Sequence, residues 1–323
     1  MNMGHRQKET EGSGLGDRWQ NENAPPPPPV DSEELAQPQP VEHGATSKFK
    51  YAMYSLLKSP MAVFSVVLLL IILASAIFAP WIAPYDPYRI DMKSRLQPPS
   101  ISHLFGTDNV GRDLFSRIVH GTRISLLITA VVVGTATVFG TLVGALSGYF
   151  GHRTDMVIMR IVDIFLAIPP LLFAIVAVAS LGESMYNVML GLGLSWWTWH
   201  ARIVRGEILR LKETRMVLAL QAMGASPWRI LLRHMIPNCA GPIMVQTTTQ
   251  AGLVVLVAAG LSFLGLGAQP PAPSWGYMIA VGRNYLPTQW WMSTFPGIAI
   301  LMLSMGFMLL GDYLRDYLAR EVK

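Results

Sequence analysis

Two stretches constrain this chain more than anything else in it. Neither 61–83 nor 124–150 contains a charged residue, and each, as a helix, is long enough to cross about 30 Å of hydrocarbon. Inside lipid a backbone must satisfy its own hydrogen bonds, so apolar runs of this length read as spanning helices. Further runs at about 156–181, 184–204, 242–266 and 293–310 bring the expected number of spans to six, in an all-α integral membrane protein. The composition agrees: 14% of residues are charged, against about 25% in soluble domains.

The net charge of +5 does not point to nucleic acid, because the basic residues lie between the apolar runs, where they orient a chain in its membrane. With the N-terminus inside, fourteen Lys and Arg outside the tail fall on the cytoplasmic side, among them Arg153, Arg202, Arg205, Arg210, Lys212, Arg229 and Arg233. Seven fall outside: Arg89, Lys93, Arg95, Arg112, Arg117, Arg123 and Arg283. Both termini are therefore expected in the cytoplasm. A single cysteine, Cys239, allows no internal disulfide, and the seven histidines are scattered, so no metal site is expected. Residues 1–47, with five consecutive prolines and a polar Glu/Gln-rich stretch, are too polar to bury a core and read as a disordered tail. No secretory leader is expected there.

Within the runs, Gly140, Gly144 and Gly148 recur every four residues. This spacing lets a second helix approach closely, although membrane helices are also simply rich in glycine. Pro169 and Pro170 fall in mid-span and remove backbone donors, so a kink or a local unwinding is expected there. Asp163, three residues after Arg160, is an acid inside a span. Such a residue is a functional candidate, but a structural Arg160–Asp163 pair is the favoured reading. Between the first two spans, "LFGTDNVGRDLFSRIVHG" places Asp108/Arg112 and Asp113/Arg117 four apart, beside an apolar stripe of Leu114, Phe115, Ile118 and Val119. It reads as a short helix on the outer surface leading into the second span. Nothing in it sets up an acid–base pair or a nucleophile.

The most informative segment interrupts the spans. In "LALQAMGASPWRILLRHMIPN" (218–238), Met216, Ala219, Leu220 and Met223 follow the i, i+3, i+4, i+7 pattern of one helix face. Gly224 supplies a stop. Ser226 followed by Pro227 is a restart, an N-cap and then proline at the first helical position. Trp228, Leu231, Leu232 and Met235 form a second apolar face, and Pro237 is expected to close the helix. The pattern describes two short cytoplasmic helices, which either pack on the membrane surface or form a rigid knob for a partner's groove.

"QAMGASPWRILLRHMIPN" resembles the cytoplasmic EAA loop of ABC-transporter permeases. "LFGTDNVGRDLFSR", "GLSFLGLGAQPPAPSWG" (260–276) and "LLGDYLRDYL" (309–318) resemble the dipeptide/oligopeptide/nickel permease family, in particular its C-type subunit. Four motifs in family order, over about 50–318, imply a type I ABC importer permease fold in a bacterial inner membrane. By this resemblance, 48–120 hold the first span and the outer loop, 121–312 the permease domain and 313–323 a cytoplasmic end. The insert becomes the coupling loop to the ATPase, carried by Leu218, Ala219, Leu220, Gly224, Ala225, Ser226, Trp228 and Pro237. The implied partners are a B-type permease, one or two ATP-binding subunits that hold ATP and Mg²⁺, an extracytoplasmic binding protein and lipid. The chain would bind no cofactor and catalyse no reaction itself. Leu218 stands where the family pattern has glutamate and Leu220 where it has alanine; Leu218 can neither favour a helix dipole nor pair with a base. The knob is therefore expected to seat by shape and apolar burial. Tyr313 replaces a usual glycine, with no consequence that follows from its chemistry.

Two other classes fit the spans less well. An ion-coupled carrier would suit proline-broken helices and an intramembrane acid, but the halves show no repeat. A membrane hydrolase would need a polar constellation at one depth. The chain has no Gly-x-x-x-x-Gly-Lys-Ser/Thr loop, so ATP hydrolysis would belong to a partner. Peptide is the expected solute, with nickel disfavoured by the absence of His or Cys clusters.

Overall fold

The computed structural model describes residues 54–321; the Pro-rich tail lies outside them. The described residues lie in one compact unit. Among the described residues the chain is helix and connecting loop, with one isolated bridge between Thr107 and Asp113. Helix α1 (Pro60–Ile77) is capped by Ser59, with proline at its first position. Helix α2 (Leu114–Phe150) runs without a break for 37 residues, about 55 Å at 1.5 Å per residue. The short outer-surface helix is thus no separate element. Its stripe of Leu114, Ile118 and Val119 is buried, and the same helical path continues into the apolar run.

Helices α3 (His152–Ala167) and α4 (Pro170–Leu181) meet at an 80° bend. Pro169 and Pro170 occupy the break: Pro169 caps α4 and Pro170 is its first residue. Next come α5 (Met185–Lys212), α6 (Arg215–Ala222) and α7 (Pro227–Ile230), followed by α8 (Ala240–Phe263), α9 (Trp275–Gly282) and α10 (Trp291–Glu321). Among the described residues four helices, α1, α2, α8 and α10, are long and apolar enough to cross a membrane, and the bent pair α3–α4 makes a fifth if taken as one span. The expected fourth span falls on α5, a 28-residue helix, but α5 is not among the helices apolar enough to cross. The reason is its buried face, where Ser195, Trp196, Trp197, Thr198 and His200 pack against protein.

The glycine spacing has a specific outcome. A methyl group added at Gly140 or Gly144 would collide with the carbonyl oxygens of Trp197 and Ala201, and one at Gly148 would meet the Ile208 side chain. The three glycines are the surface on which α5 lies, so α2 and α5 touch backbone to backbone at the centre of the bundle. Around this seam, Val132, Val133, Leu192, Val254 and Leu261 form a core shared by α2, α5 and α8. A second core at the opening end of α2 gathers Leu114, Trp275, Trp291, Met292 and Leu303. There the Trp275 indole donates to the Ile118 carbonyl at 2.9 Å. Arg123 donates to the carbonyls of Ala76 and Ile77, satisfying acceptors that the end of α1 leaves open.

Candidate partner-docking insert

The insert follows α5 directly. Thr214 caps α6, which ends as Gly224 takes a left-handed φ of +74°; the Gly224 and Ala225 amides then bond back to the carbonyls of Gln221 and Leu220. Ser226 caps α7 by accepting from the Arg229 amide at 3.4 Å, with Pro227 in first position. From there the chain departs from expectation. Leu231–Met235 is a π-helical turn, and helical backbone continues through Pro237 (Ile236–Asn238) almost into α8. Pro237 therefore does not close the helix, because it lies in the first turn of a restarted segment, where a missing N–H costs little.

The apolar faces are also distributed differently. Val217, Ile230, Leu231, Met235 and Cys239 are buried with Ala145 and Tyr149 of α2 and Val204, Ile208 and Leu211 of α5. Lys212 adds a hydrogen bond to the Tyr149 carbonyl at 2.8 Å. The insert is thus braced on the ends of α2 and α5. Leu220 and Ala225 are half-buried at the edge of this cluster. Met216, Leu218, Ala219, Met223, Ser226, Trp228 and Leu232 face outward, with Met223 75% exposed and Gly224 at the tip. The two expected apolar faces, one to each helix, give way to two others, each drawn from both helices. One anchors the insert, and the other, including Leu218, is left uncovered by the chain itself.

Beside the insert, Asp155 at the start of α3 takes a two-pronged ion pair from Arg205 of α5 (2.5 and 2.6 Å) and a hydrogen bond from Ser147. Asp163 pairs with Arg202 at 2.5 Å, not with Arg160. The α3–α5 crossing brings Arg202 in from α5, whereas Arg160 makes no ion pair among the described residues. In the loop before α2, Asp108 pairs with Arg112 at 2.7 Å as its spacing suggests. Asp113 instead caps α2 through Ser116 and meets His103 at 2.9 Å. Arg117, fully buried, turns to the Pro87 carbonyl at 2.8 Å. These groups tie the loop down. Sequence reasoning missed one cluster altogether: His200 of α5 lies 3.1 Å from Thr137 of α2 and 3.2 Å from Thr247 of α8. A lone histidine and two threonines on three different helices carry no local signal.

A bundle of apolar helices closed by a backbone-close seam, with a braced helical insert presenting an uncovered apolar tip, is the architecture of a multi-pass membrane protein. Residues 140–323 match the family of binding-protein-dependent transport system inner membrane components, and residues 47–99 match the N-terminal transmembrane domain of oligopeptide transport permease C. The probable D,D-dipeptide transport system permease of Escherichia coli (strain K12) is 45% identical over 80% of this chain and 87% of its own length. A dipeptide transport system permease of Alkalihalophilus pseudofirmus is 38% identical over 92% of this chain and 94% of its own. A di/tripeptide permease of Pseudomonas aeruginosa is 40% identical over 79% and 86%. The chain belongs to the family of binding-protein-dependent transport permeases.

Proposed function

We propose that this chain is one of two permease subunits that form the membrane passage of an ATP-driven peptide importer. The observation that carries the reading is the insert: an apolar tip that its own chain leaves bare, on a base packed into the ends of α2 and α5. A push on such a tip is delivered to the two helices that meet along the glycine seam. The relatives' names, which specify dipeptides and di- or tripeptides, supply the solute class.

In this reading the chain crosses the inner membrane six times. The bent pair α3–α4 counts as one crossing and α5 as another, and both termini lie inside. The segment 205–239 is the coupling loop. Leu218, Ala219, Trp228 and the Gly224 tip meet an ATP-binding subunit; Leu220 and Ala225 hold the tip to its base; Ser226 sets the restart, and Pro237 stands in the helical turn that leads on to α8. One or two such subunits hold ATP and Mg²⁺, a B-type permease closes the passage, and a binding protein delivers peptide from outside. The chain itself is non-catalytic.

The test is Gly224→Pro in the full complex. Proline cannot take the positive φ and loses the amide that bonds Gln221. ATP-driven peptide uptake is expected to be abolished while the protein stays in the membrane. Normal uptake by this variant would remove the coupling role.

A further inference from the structure

Where α1 ends, the chain holds a run of aromatic side chains away from its own core. Helix α1 has 18 residues, a length of about 27 Å, close to the roughly 30 Å of a hydrocarbon layer. Along it, Phe64, Val67, Leu70, Ile71 and Ile77 are exposed, an apolar surface suited to lipid tails. Just past it, Phe78 is 50% exposed and Trp81 79%, with their ring centres 5.6 Å apart. Tyr88 is 50% exposed, and Ile82, Ile90 and Met92 are exposed as well.

This exposure is built in. Arg123 donates to the carbonyls of Ala76 and Ile77, the Tyr85 amide donates to Ser116 Oγ at 3.2 Å, and Arg117 donates to the Pro87 carbonyl at 2.8 Å. Side chains from the opening turns of α2 thus fix the backbone on both sides of Trp81, and Ala79 and Pro87 between them are buried. Trp81 sits in one further turn of helix, Ala79–Ile82, so it stays near the hydrocarbon edge, where the headgroups begin. A ring with an apolar body and a polar edge is favoured at that boundary. Arg89, Lys93 and Arg95 follow, all exposed. Of the two acids among them, Asp86 accepts from the Tyr88 amide, and Asp91 from the Lys93 amide and the Ser94 hydroxyl. The bases are in excess, which suits lipid phosphates. Continuity with the exposed apolar side of α1 selects lipid, not a water-soluble partner, as the occupant of this surface.

We propose that residues 78–93 are seated in the headgroup layer of the membrane, with Phe78, Trp81 and Tyr88 among the first carbons of the acyl chains and Arg89 and Lys93 on the phosphates of anionic phospholipid. Through Arg123, Ser116 and Arg117 the same seat sets the depth at which α2 begins. It depends on α1 crossing the membrane and not on the solute carried.

The test leaves every residue in place. The full complex is put into nanodiscs of phosphatidylcholine and phosphatidylglycerol that carry a phospholipid with a photoactivatable diazirine, either beside the glycerol or at the acyl terminus. Cross-linked peptides are mapped by mass spectrometry. The shallow probe is expected to label 78–88 several-fold more than the deep probe does, and the order is expected to reverse at 64–71 in the middle of α1. Carried on phosphatidylglycerol, the shallow probe is expected to label 88–93 more than when carried on phosphatidylcholine. If 64–71 is labelled and 78–88 is not, the rings meet water or a partner protein. If the deep probe labels 78–88 more strongly, they lie in hydrocarbon. If the two headgroups label 88–93 equally, the bases hold no anionic lipid. Each of these results overturns the seat, and so does the absence of labelling along α1 itself, which would show that α1 does not face lipid.

Discussion

Single residues show how little room the bundle leaves. At Gly140 a Cβ has backbone and the His200 side chain in its way, whereas at Gly134, on the same helix, it meets nothing within 4 Å. Gly140→Ala should therefore destabilise the purified complex by about 1–3 kcal/mol, as overpacking does, and Gly134→Ala by less than about 0.5 kcal/mol. Thermal unfolding in detergent compares the two; equal effects would mean that α2 and α5 do not meet along the glycines. Cys239 is fully buried beneath the insert, and that burial pushes its thiol up to about 11. Only the thiolate reacts, so a maleimide at pH 7 is expected to leave Cys239 unlabelled until the protein is denatured. Rapid labelling of the folded protein would show that the insert lifts away from its base. Gly140 was identifiable from its spacing. The partner of Asp163 was not, since an i, i+3 neighbour and a residue 39 positions away compete on distance alone.

Among the elements, the insert carries the sharpest expectation. Its stop at Gly224 and its restart at Ser226–Pro227 follow from side-chain chemistry that acts within a few residues, and for that reason they are legible in the sequence. The division of its apolar residues is not, because both faces are greasy and only the ends of α2 and α5 select which one is buried. The π-helical turn at Leu231–Met235 carries two members of the buried cluster, Leu231 and Met235, at its ends. Met223, 75% exposed, contributes little to that base. Met223→Glu should leave the amount of protein in the membrane unchanged. It should weaken retention of the ATP-binding subunit roughly tenfold or more, since an unpaired carboxylate is costly to bury in an interface. Undiminished co-purification would move the docking surface elsewhere.

At the scale of the whole molecule, the proposed six crossings with both termini inside would put the loop before α2 and the insert on opposite sides of the membrane. Ile101 is fully exposed, and Ser226 lies at the exposed tip. In a Cys239→Ser background, an impermeant maleimide should label Ile101→Cys only from outside and Ser226→Cys only from inside. Labelling from the same side would overturn the proposed crossing count. The existence of α1, α2, α8 and α10 was determined by the sequence alone, because a long charge-free run in lipid has helix as its one way to satisfy its backbone. The insert's caps were determined equally locally. Tertiary structure alone decided that α5, with its buried histidine, serine, threonine and tryptophans, belongs inside the bundle, that the outer stripe is the first part of α2, and which helix neutralises Asp163. In each case the deciding partner lies on another helix, and what surrounds a side chain inside a bundle is set by helix packing, which no pattern along a single run contains.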